Sequence, residues 1–317
     1  RERETDLIIK TLLAGQSVAL IAPRRFGKTS IMLEVLDQLS KKKYYTGNVD
    51  LFTTPDISQL AFETTAQVLR NRKLDTAFYK IKTNLSEILR NIKFRNEIQD
   101  AEFILSFGRS DRNEWEQLRD SLNYIDKFAT KHNKNICFAF DEFGDINKLD
   151  GEEIVKLFRG IIQHQENSVF IFTGSYESVM DQLFVTNKSP FFRMVRIIEP
   201  GFINSTSAEK FLRNKFKELK LKISIEDIQQ AIQFTKGHPY YLRLFLQEYY
   251  LMSSNSSGII DIKETFSSMF MTEKNYIEKL WDEISSRKEN KYLILRLVET
   301  SGKPYSGIED NRYNLTR

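Results

Sequence analysis

The sequence predicts an α/β core, a doubly wound parallel sheet between helices, followed by an all-helical region. Three observations carry this. Short Val-, Ile- and Phe-rich runs occur without polar alternation, amphipathic stretches lie between them, and the strand signal stops after Glu199-Pro200-Gly201. Apolar runs of this kind read as strands buried on both faces, as in a sheet covered by helices. The length, 317 residues, suits about two domains with a small third.

The strand runs are Ser17–Ala22, Asn48–Phe52, Ile136–Phe140, Val169–Thr173 and Val195–Ile198. Between them Thr29–Lys41, Ser58–Arg70, Trp115–His132 and Glu152–Gln165 have the apolar spacing of helices. The long gap at 57–135 carries further helical patterns at Asn84–Ile92 and around Glu97–Leu105, an elaboration on one edge of the core. The run at Val169 is expected beside the first strand. Past Gly201, helical spacing continues through Ser207–Leu219, Ser224–Thr235 and Tyr240–Met252. Ser224-Ile225-Glu226-Asp227 reads as a helix start. A Ser/Asn-rich loop, Ser253–Gly258, separates these from more helix between Ile262 and Thr300.

Composition narrows the classes. With 41% hydrophobic and 28% charged residues, the chain folds rather than staying disordered. Its longest apolar stretches, such as Val18–Ala22 and Val169–Phe172, are far too short to cross a bilayer, so no membrane partner is expected. The net charge of +4 permits nucleic-acid binding without arguing for it. The lone Cys137, in the apolar run Ile136-Cys137-Phe138-Ala139-Phe140, reads as a small buried hydrophobe. A single cysteine, and an opening without a basic stretch and apolar core, set the expectation of a reducing, cytoplasmic setting. His132, His164 and His238 have no ligand spacing, which argues against a structural zinc site.

Directly after the first strand comes Ala22-Pro23-Arg24-Arg25-Phe26-Gly27-Lys28-Thr29-Ser30. It matches the phosphate-binding pattern G-x-x-x-x-G-K-[ST] with alanine in the first place. Such a loop turns successive backbone N–H groups inward as a nest for phosphate oxygens, and the helix that follows adds its positive N-terminus. Pro23 to Ser30 therefore form the candidate nucleotide-binding stretch. Lys28 would reach the β- and γ-phosphates, and the Thr29 hydroxyl would hold Mg²⁺.

The third strand delivers Asp141-Glu142. Beside such a loop, Asp141 would bind Mg²⁺ through water and Glu142 would polarise the attacking water. That adjacent glutamate favours hydrolysis over binding alone. The fourth strand ends Phe172-Thr173-Gly174-Ser175, where Thr173 and Ser175 are candidates for holding that water or touching the γ-phosphate. Hydrolysis also calls for positive charge near the γ-phosphate, often an arginine from a neighbouring subunit. Arg193 and Arg196 are the candidates. Arg24 and Arg25 flank the loop itself.

Gly237-His238-Pro239-Tyr240-Tyr241 interrupts two strong helices. It reads either as a Gly stop with Pro opening the next helix, or as a turn that faces the nucleotide, with Arg243 one turn further on.

Together these elements resemble the archaeal-type ATPases of the STAND group of the AAA+ superfamily. The loop's Pro23-Arg24-Arg25 before Gly27-Lys28-Thr29 is similar to that family's, and Arg1-Glu2-Arg3-Glu4 looks like its Gly-Arg-Glu element beside the adenine. Gly237-His238-Pro239 looks like its lid signature. The resemblance covers nearly the whole chain. It implies a RecA-like core with a five-stranded parallel sheet, a helical lid, ATP with Mg²⁺, nucleotide contacts at His238 and Pro239, and a nucleotide-driven change of form. It also implies a C-terminal winged helix, for which Lys291–Glu299 fits a first helix and Tyr305–Thr316 the approach to a second. The expected division is then 1–200 core, 201–284 lid and 285–317 the start of the winged helix.

The leading reading is an ATP-hydrolysing switch that works with ATP and ADP and with a protein partner or a second copy of itself. The alternative is a DNA-associated ATPase, akin to initiators or loaders, holding duplex DNA through the winged helix. A scaffold that never turns over is opposed by Glu142. A small-molecule kinase is opposed by the Asp-Glu strand end and the large helical region. ATP rather than GTP rests on the resemblance, since no Asn-Lys-x-Asp motif appears.

Overall fold

In the computed structural model, five strands form one parallel sheet in the order β2-β3-β4-β1-β5. The structure describes residues 1–75, 113–175, 177–255 and 260–300. The expected helical patterns at 84–92 and 97–105, and the segment 305–316, lie outside them.

The order of elements is α1 (Glu2–Leu13), β1 (Ser17–Ile21), α2 (Lys28–Lys41), β2 (Tyr45–Asp50), α3 (Ile57–Arg70), α4 (Glu114–Lys131), β3 (Ile136–Asp141), α5 (Asn147–Ile162), β4 (Ser168–Gly174), the short α6 (Glu177–Met180) and β5 (Val195–Ile198). Then come α7 (Ser205–Glu218), α8 (Ile225–Thr235), α9 (Pro239–Asn255), α10 (Ile262–Ser285) and α11 (Lys288–Glu299). All five expected strands are present, and β4 lies between β3 and β1.

The sheet is buried on both faces because its residues alternate between two cores. Phe138 and Phe140 of β3 join Phe170 and Phe172 of β4 against α3, α4 and α5. Cys137 and Ala139 turn the other way, with Val18 and Leu20, to meet Ile8, Ile9 and Leu12 of α1 and the inner face of α2. Near-continuous apolar runs are what this two-sided burial requires.

Four local expectations change. Residues 2–13, expected only as a base-side element, form a helix that buries Thr5, Ile8, Ile9 and Leu12 along one stripe. The second strand is Tyr45–Asp50 rather than Asn48–Phe52, because Leu51–Thr53 coil into a short 3₁₀ turn capped by the Asp50 side chain. Helix α5 starts at Asn147, yet Asp150 and Gly151 leave helical geometry, Gly151 with φ +53, so a regular helix resumes near the expected Glu152. Ser224 stands outside α8 as its cap, its Oγ accepting from Asp227 N at 3.0 Å.

The chain divides into two compact units, one of residues Arg1–Ser207 with His238–Tyr240, the other of Ala208–Gly237 with Tyr241–Arg317. Within the second, Phe216 meets Tyr249 edge-on at 4.9 Å, and Phe234 stacks on Phe266 at 4.2 Å. The buried Glu248 of α9 accepts from Ser268 Oγ at 2.6 Å and Thr272 Oγ1 at 3.1 Å of α10.

Candidate functional site

The loop from Ala22 to Gly27 joins the end of β1 to the start of α2. Arg25 and Gly27 both take left-handed backbone, with φ +69 and +82. Left-handed residues among right-handed ones curl a loop so that its amides converge, the geometry of an anion nest. Gly27 enters this region without strain. Pro23, Arg24 and Arg25 are exposed, Phe26 and Gly27 half-buried, and Thr29 and Ser30 open α2 at the surface.

Lys28 is only 4% exposed. Its Nζ donates to Ala22 O at 2.8 Å, Pro23 O at 3.1 Å and Ser175 Oγ at 2.9 Å. The lysine is thus folded over its own loop and tied to the end of β4. The Ser175 hydroxyl in turn donates to Glu142 Oε1 at 2.7 Å, and the Ser175 amide donates to Glu142 Oε2 at 3.2 Å. Lys28, Ser175 and Glu142 form one chain of hydrogen bonds across the C-terminal ends of β1, β4 and β3.

Beside it, Thr29 Oγ1 donates to Asp141 Oδ2 at 2.8 Å, and Thr173 Oγ1 donates to Asp141 Oδ1. Thr173 is fully buried and turned to Asp141, whereas Ser175 is turned to Lys28 and Glu142. The two candidates at the end of β4 therefore serve different carboxylates. Glu142 itself has φ +48, and its amide donates to Asp141 Oδ1 at 3.1 Å and Thr173 Oγ1 at 3.3 Å. Left-handed backbone is costly for a non-glycine residue, and it persists here under several hydrogen bonds.

The donors suit magnesium. Thr29, Thr173 and Asp141 present hard oxygens close together, and Mg²⁺ takes one or two carboxylates with the rest of its shell from water and phosphate. Among the described residues no group of three His, Cys, Asp or Glu forms an all-protein metal cage.

At the other side of the loop Phe26 meets His238 edge-on at 4.7 Å and Phe202 at 5.4 Å. Arg25 lies over the Tyr240 ring at 4.3 Å, and Arg1 Nη2 donates to Phe26 O at 2.9 Å. His238 Nδ1 accepts from Tyr240 N at 3.2 Å, so the histidine caps the start of α9, where Pro239 is the first residue. Burial, then the charges of Arg1 and Arg25, hold the imidazole below its usual pKa. Gly237 and Lys236 end α8 in left-handed geometry, so the Gly stop and Pro start operate while the turn also meets the loop.

Arg193 and Arg196 go elsewhere. Arg193 is exposed, with φ +60, and its guanidinium lies over Phe192. Arg196, on β5, reaches Thr11 Oγ1 of α1 at 3.5 Å. Sequence reasoning missed Asp50, which β2 sets directly across from Asp141, and Asp145, 4% exposed and paired with Lys148 at 2.8 Å. Ending β2 at Asp50 is what brings it to the acidic pair. Phe202 was missed as well. A lone aromatic residue after a Pro-Gly turn carries no periodic signal.

Comparison with known proteins adds the following. The family model described as an ATPase domain predominantly from Archaea matches residues 1–245. No curated protein matches the chain. Among solved structures, the chain is similar to a Walker-type ATPase of Pyrococcus abyssi, at 19% identity and a TM-score of 0.66 over 95% of this chain and 79% of that one. It is also similar to the Aeropyrum pernix ORC1 protein in complex with DNA, at 10% identity and 0.54 over 94% and 72%. A third likeness, to the Aeropyrum pernix ORC2 protein in its ADP form, has 12% identity and a TM-score of 0.52 over 96% and 74%. At these identities the likenesses speak to the fold.

Proposed function

We propose that this chain, which belongs to the family of ATPase domains predominantly from Archaea, is a Mg²⁺-dependent ATP-hydrolysing switch of the STAND kind. The observation that carries the reading is the meeting of loop and acidic strand end: Thr29 on Asp141 at 2.8 Å, and Lys28 linked through Ser175 to Glu142.

Lys28 and the loop amides would bind the β- and γ-phosphates, offsetting charge that grows on the leaving ADP oxygen. Thr29 and Asp141 would hold Mg²⁺, which when bound neutralises phosphate charge. Glu142 would accept a proton from water as the water oxygen attacks the γ-phosphorus, giving ADP and inorganic phosphate. Phe26, Phe202, His238 and Pro239 would line the base end. Arg193, exposed on its loop, would act across a subunit boundary if at all.

In this reading 1–200 is the core, 201–284 the lid and 285–317 the start of a winged helix, and the switch acts on a protein partner or on a second copy. The second reading, a DNA-associated ATPase, draws on the fold likeness to ORC1 held with DNA.

The test is phosphate release from ATP by the purified chain, with and without duplex DNA. Glu142→Gln is expected to keep nucleotide binding and lose turnover about 10²- to 10⁴-fold, the usual contribution of a positioned base. Lys28→Ala is expected to lose binding. Parent-like binding by Lys28→Ala would overturn the site. Turnover that rises with DNA would put the second reading first.

A further inference from the structure

We propose that Ser175 is a proton-sharing clamp that makes the freedom of Glu142 conditional on a γ-phosphate; this rests on the reading of Lys28 and Glu142 as parts of an ATP site. Without nucleotide, both Glu142 carboxylate oxygens are held by one residue, Oε1 by the Ser175 hydroxyl at 2.7 Å and Oε2 by its amide at 3.2 Å. The general base of a hydrolysis must instead present an oxygen to water within about 2.6–3.2 Å. In this state the glutamate faces the end of β4.

The release follows from counting protons. A serine hydroxyl carries one proton and accepts through its lone pairs. Here it accepts from Lys28 Nζ at 2.9 Å and gives its one proton to Glu142. Lys28 donates to Ala22 O, Pro23 O and Ser175 Oγ, so an incoming phosphate must take at least one of these bonds. A γ-phosphate makes charge-assisted bonds with ammonium and hydroxyl alike, stronger than neutral ones. It draws Lys28 off Ser175 and takes the serine proton, and Glu142 Oε1 then turns to water. ADP has no γ-oxygens to compete for that proton, so with ADP the clamp stays closed. Thr173 does not share this role, since its hydroxyl is given to Asp141.

Ser175 is therefore a positioning residue, and the glutamate and the γ-phosphate compete for it. That competition makes a prediction separable from ordinary structural loss. Affinities for a non-hydrolysable ATP analogue and for ADP are measured on the full chain for the parent, Ser175→Ala, Glu142→Gln and the double variant. Ser175→Thr is the conservative control that keeps a hydroxyl.

Ser175→Ala is expected to cut the preference for the ATP analogue over ADP about tenfold, the scale of one hydrogen bond to a charged group. Glu142→Gln, a weaker competitor, is expected to raise that preference severalfold when Ser175 is present and much less when it is Ala. Ser175→Thr is expected to restore the parent pattern. Simple electrostatic relief of the γ-phosphate by Glu142→Gln would act equally in both backgrounds.

Additive effects of the two substitutions, with Lys28→Ala still losing both nucleotides, would overturn the clamp alone. Parent-like binding by Lys28→Ala would overturn the ATP site and the clamp together. Should Ser175→Ala lose its folded circular dichroism, the same cycle run with Ser175→Thr and Ser175→Cys decides. A thiol, a weak donor, is expected to follow the alanine pattern, and a cysteine that behaves as threonine does would overturn the clamp.

Discussion

Asp50 and His238 show opposite responses to burial beside charge. The Asp50 carboxyl is held above its usual pKa, first by burial and then by Asp141, Glu142 and Asp145, with the Phe52 amide pulling the other way. An acid raised in the fold carries no penalty below its unfolded value of 3.8 and a growing one as pH rises through its folded value. Asp50→Asn keeps an oxygen for Phe52 N, which Asp50 now caps at 3.0 Å. It should raise the melting temperature at pH 8 without divalent cations, and the gain should fade toward pH 4. An equal gain at both pH values would remove the carboxylate repulsion from the account. His238 runs the other way. Its pKa is lowered, so stability is fully present above the unfolded value of 6.5 and falls as pH drops below it. Protonation also takes the Nδ1 lone pair that caps Tyr240 N. His238→Asn, which caps without titrating, should flatten the pH dependence of unfolding between about 5 and 6.5, and an unchanged slope would count against it. The roles of Lys28 and the acidic pair were legible because motif chemistry needs fixed residue types at fixed spacing. Asp50 was not, since its place beside Asp141 depends on strand register.

Strand β2 shows why one element was misread and what holds it. Tyr45-Thr46-Gly47 looks like loop, because glycine and polar residues weaken the strand signal. Tertiary structure overrides this. Gly47 pairs in register with Phe138, and a Cβ at Gly47 would come within 2.6 Å of the Phe138 ring. The glycine is there because the ring lies across it. On the outer edge Asn71 takes the place of a further strand, accepting from Thr46 N and donating to Thr46 O, both at 2.9 Å. An edge covered in this way offers fewer open backbone groups to other chains. Gly47→Ala should therefore destabilise by about 1–3 kcal/mol, the cost of overpacking a rigid neighbour. Urea unfolding checks this through the midpoint at constant slope, and a neutral result would mean that Phe138 has room to move. The other strands were legible because they are buried on both faces and read apolar throughout. The 3.6-residue spacing of Thr5, Ile8, Ile9 and Leu12 in α1 was equally plain, yet the opening Arg1-Glu2-Arg3-Glu4 drew attention to motif rather than periodicity.

At the scale of the molecule, local spacing follows the chain in order and has no means of seeing that His238–Tyr240 group with the first unit. That return is made by ring contacts, Phe26 on His238 and Arg25 on Tyr240, which no period in the sequence encodes. It has an energetic consequence. Lys28, Thr29, Asp141, Glu142, Ser175 and His238 all belong to the first unit. A ligand that binds only the folded form of that unit stabilises it by about 2.7 kcal/mol at a hundred times its dissociation constant. For a unit of this size each kcal/mol moves the melting temperature by about 2–4 °C, so ATP analogue with Mg²⁺ should raise its transition by about 5–10 °C. The second unit has less to hold it: its core is a short run of residues such as Leu212, Phe216, Leu242 and Phe245, and its last helix, α11, buries none. Its transition should come first and stay within about a degree of its ligand-free position, since nothing in the proposed site draws on its residues. Scanning calorimetry separates the cases. Movement of the upper transition alone, abolished by Lys28→Ala, places the ligand in the first unit. Movement of the lower transition would require nucleotide contacts from Ala208–Gly237 or from the chain beyond Tyr241, and one merged transition would mean that the two units unfold as a single cooperative body.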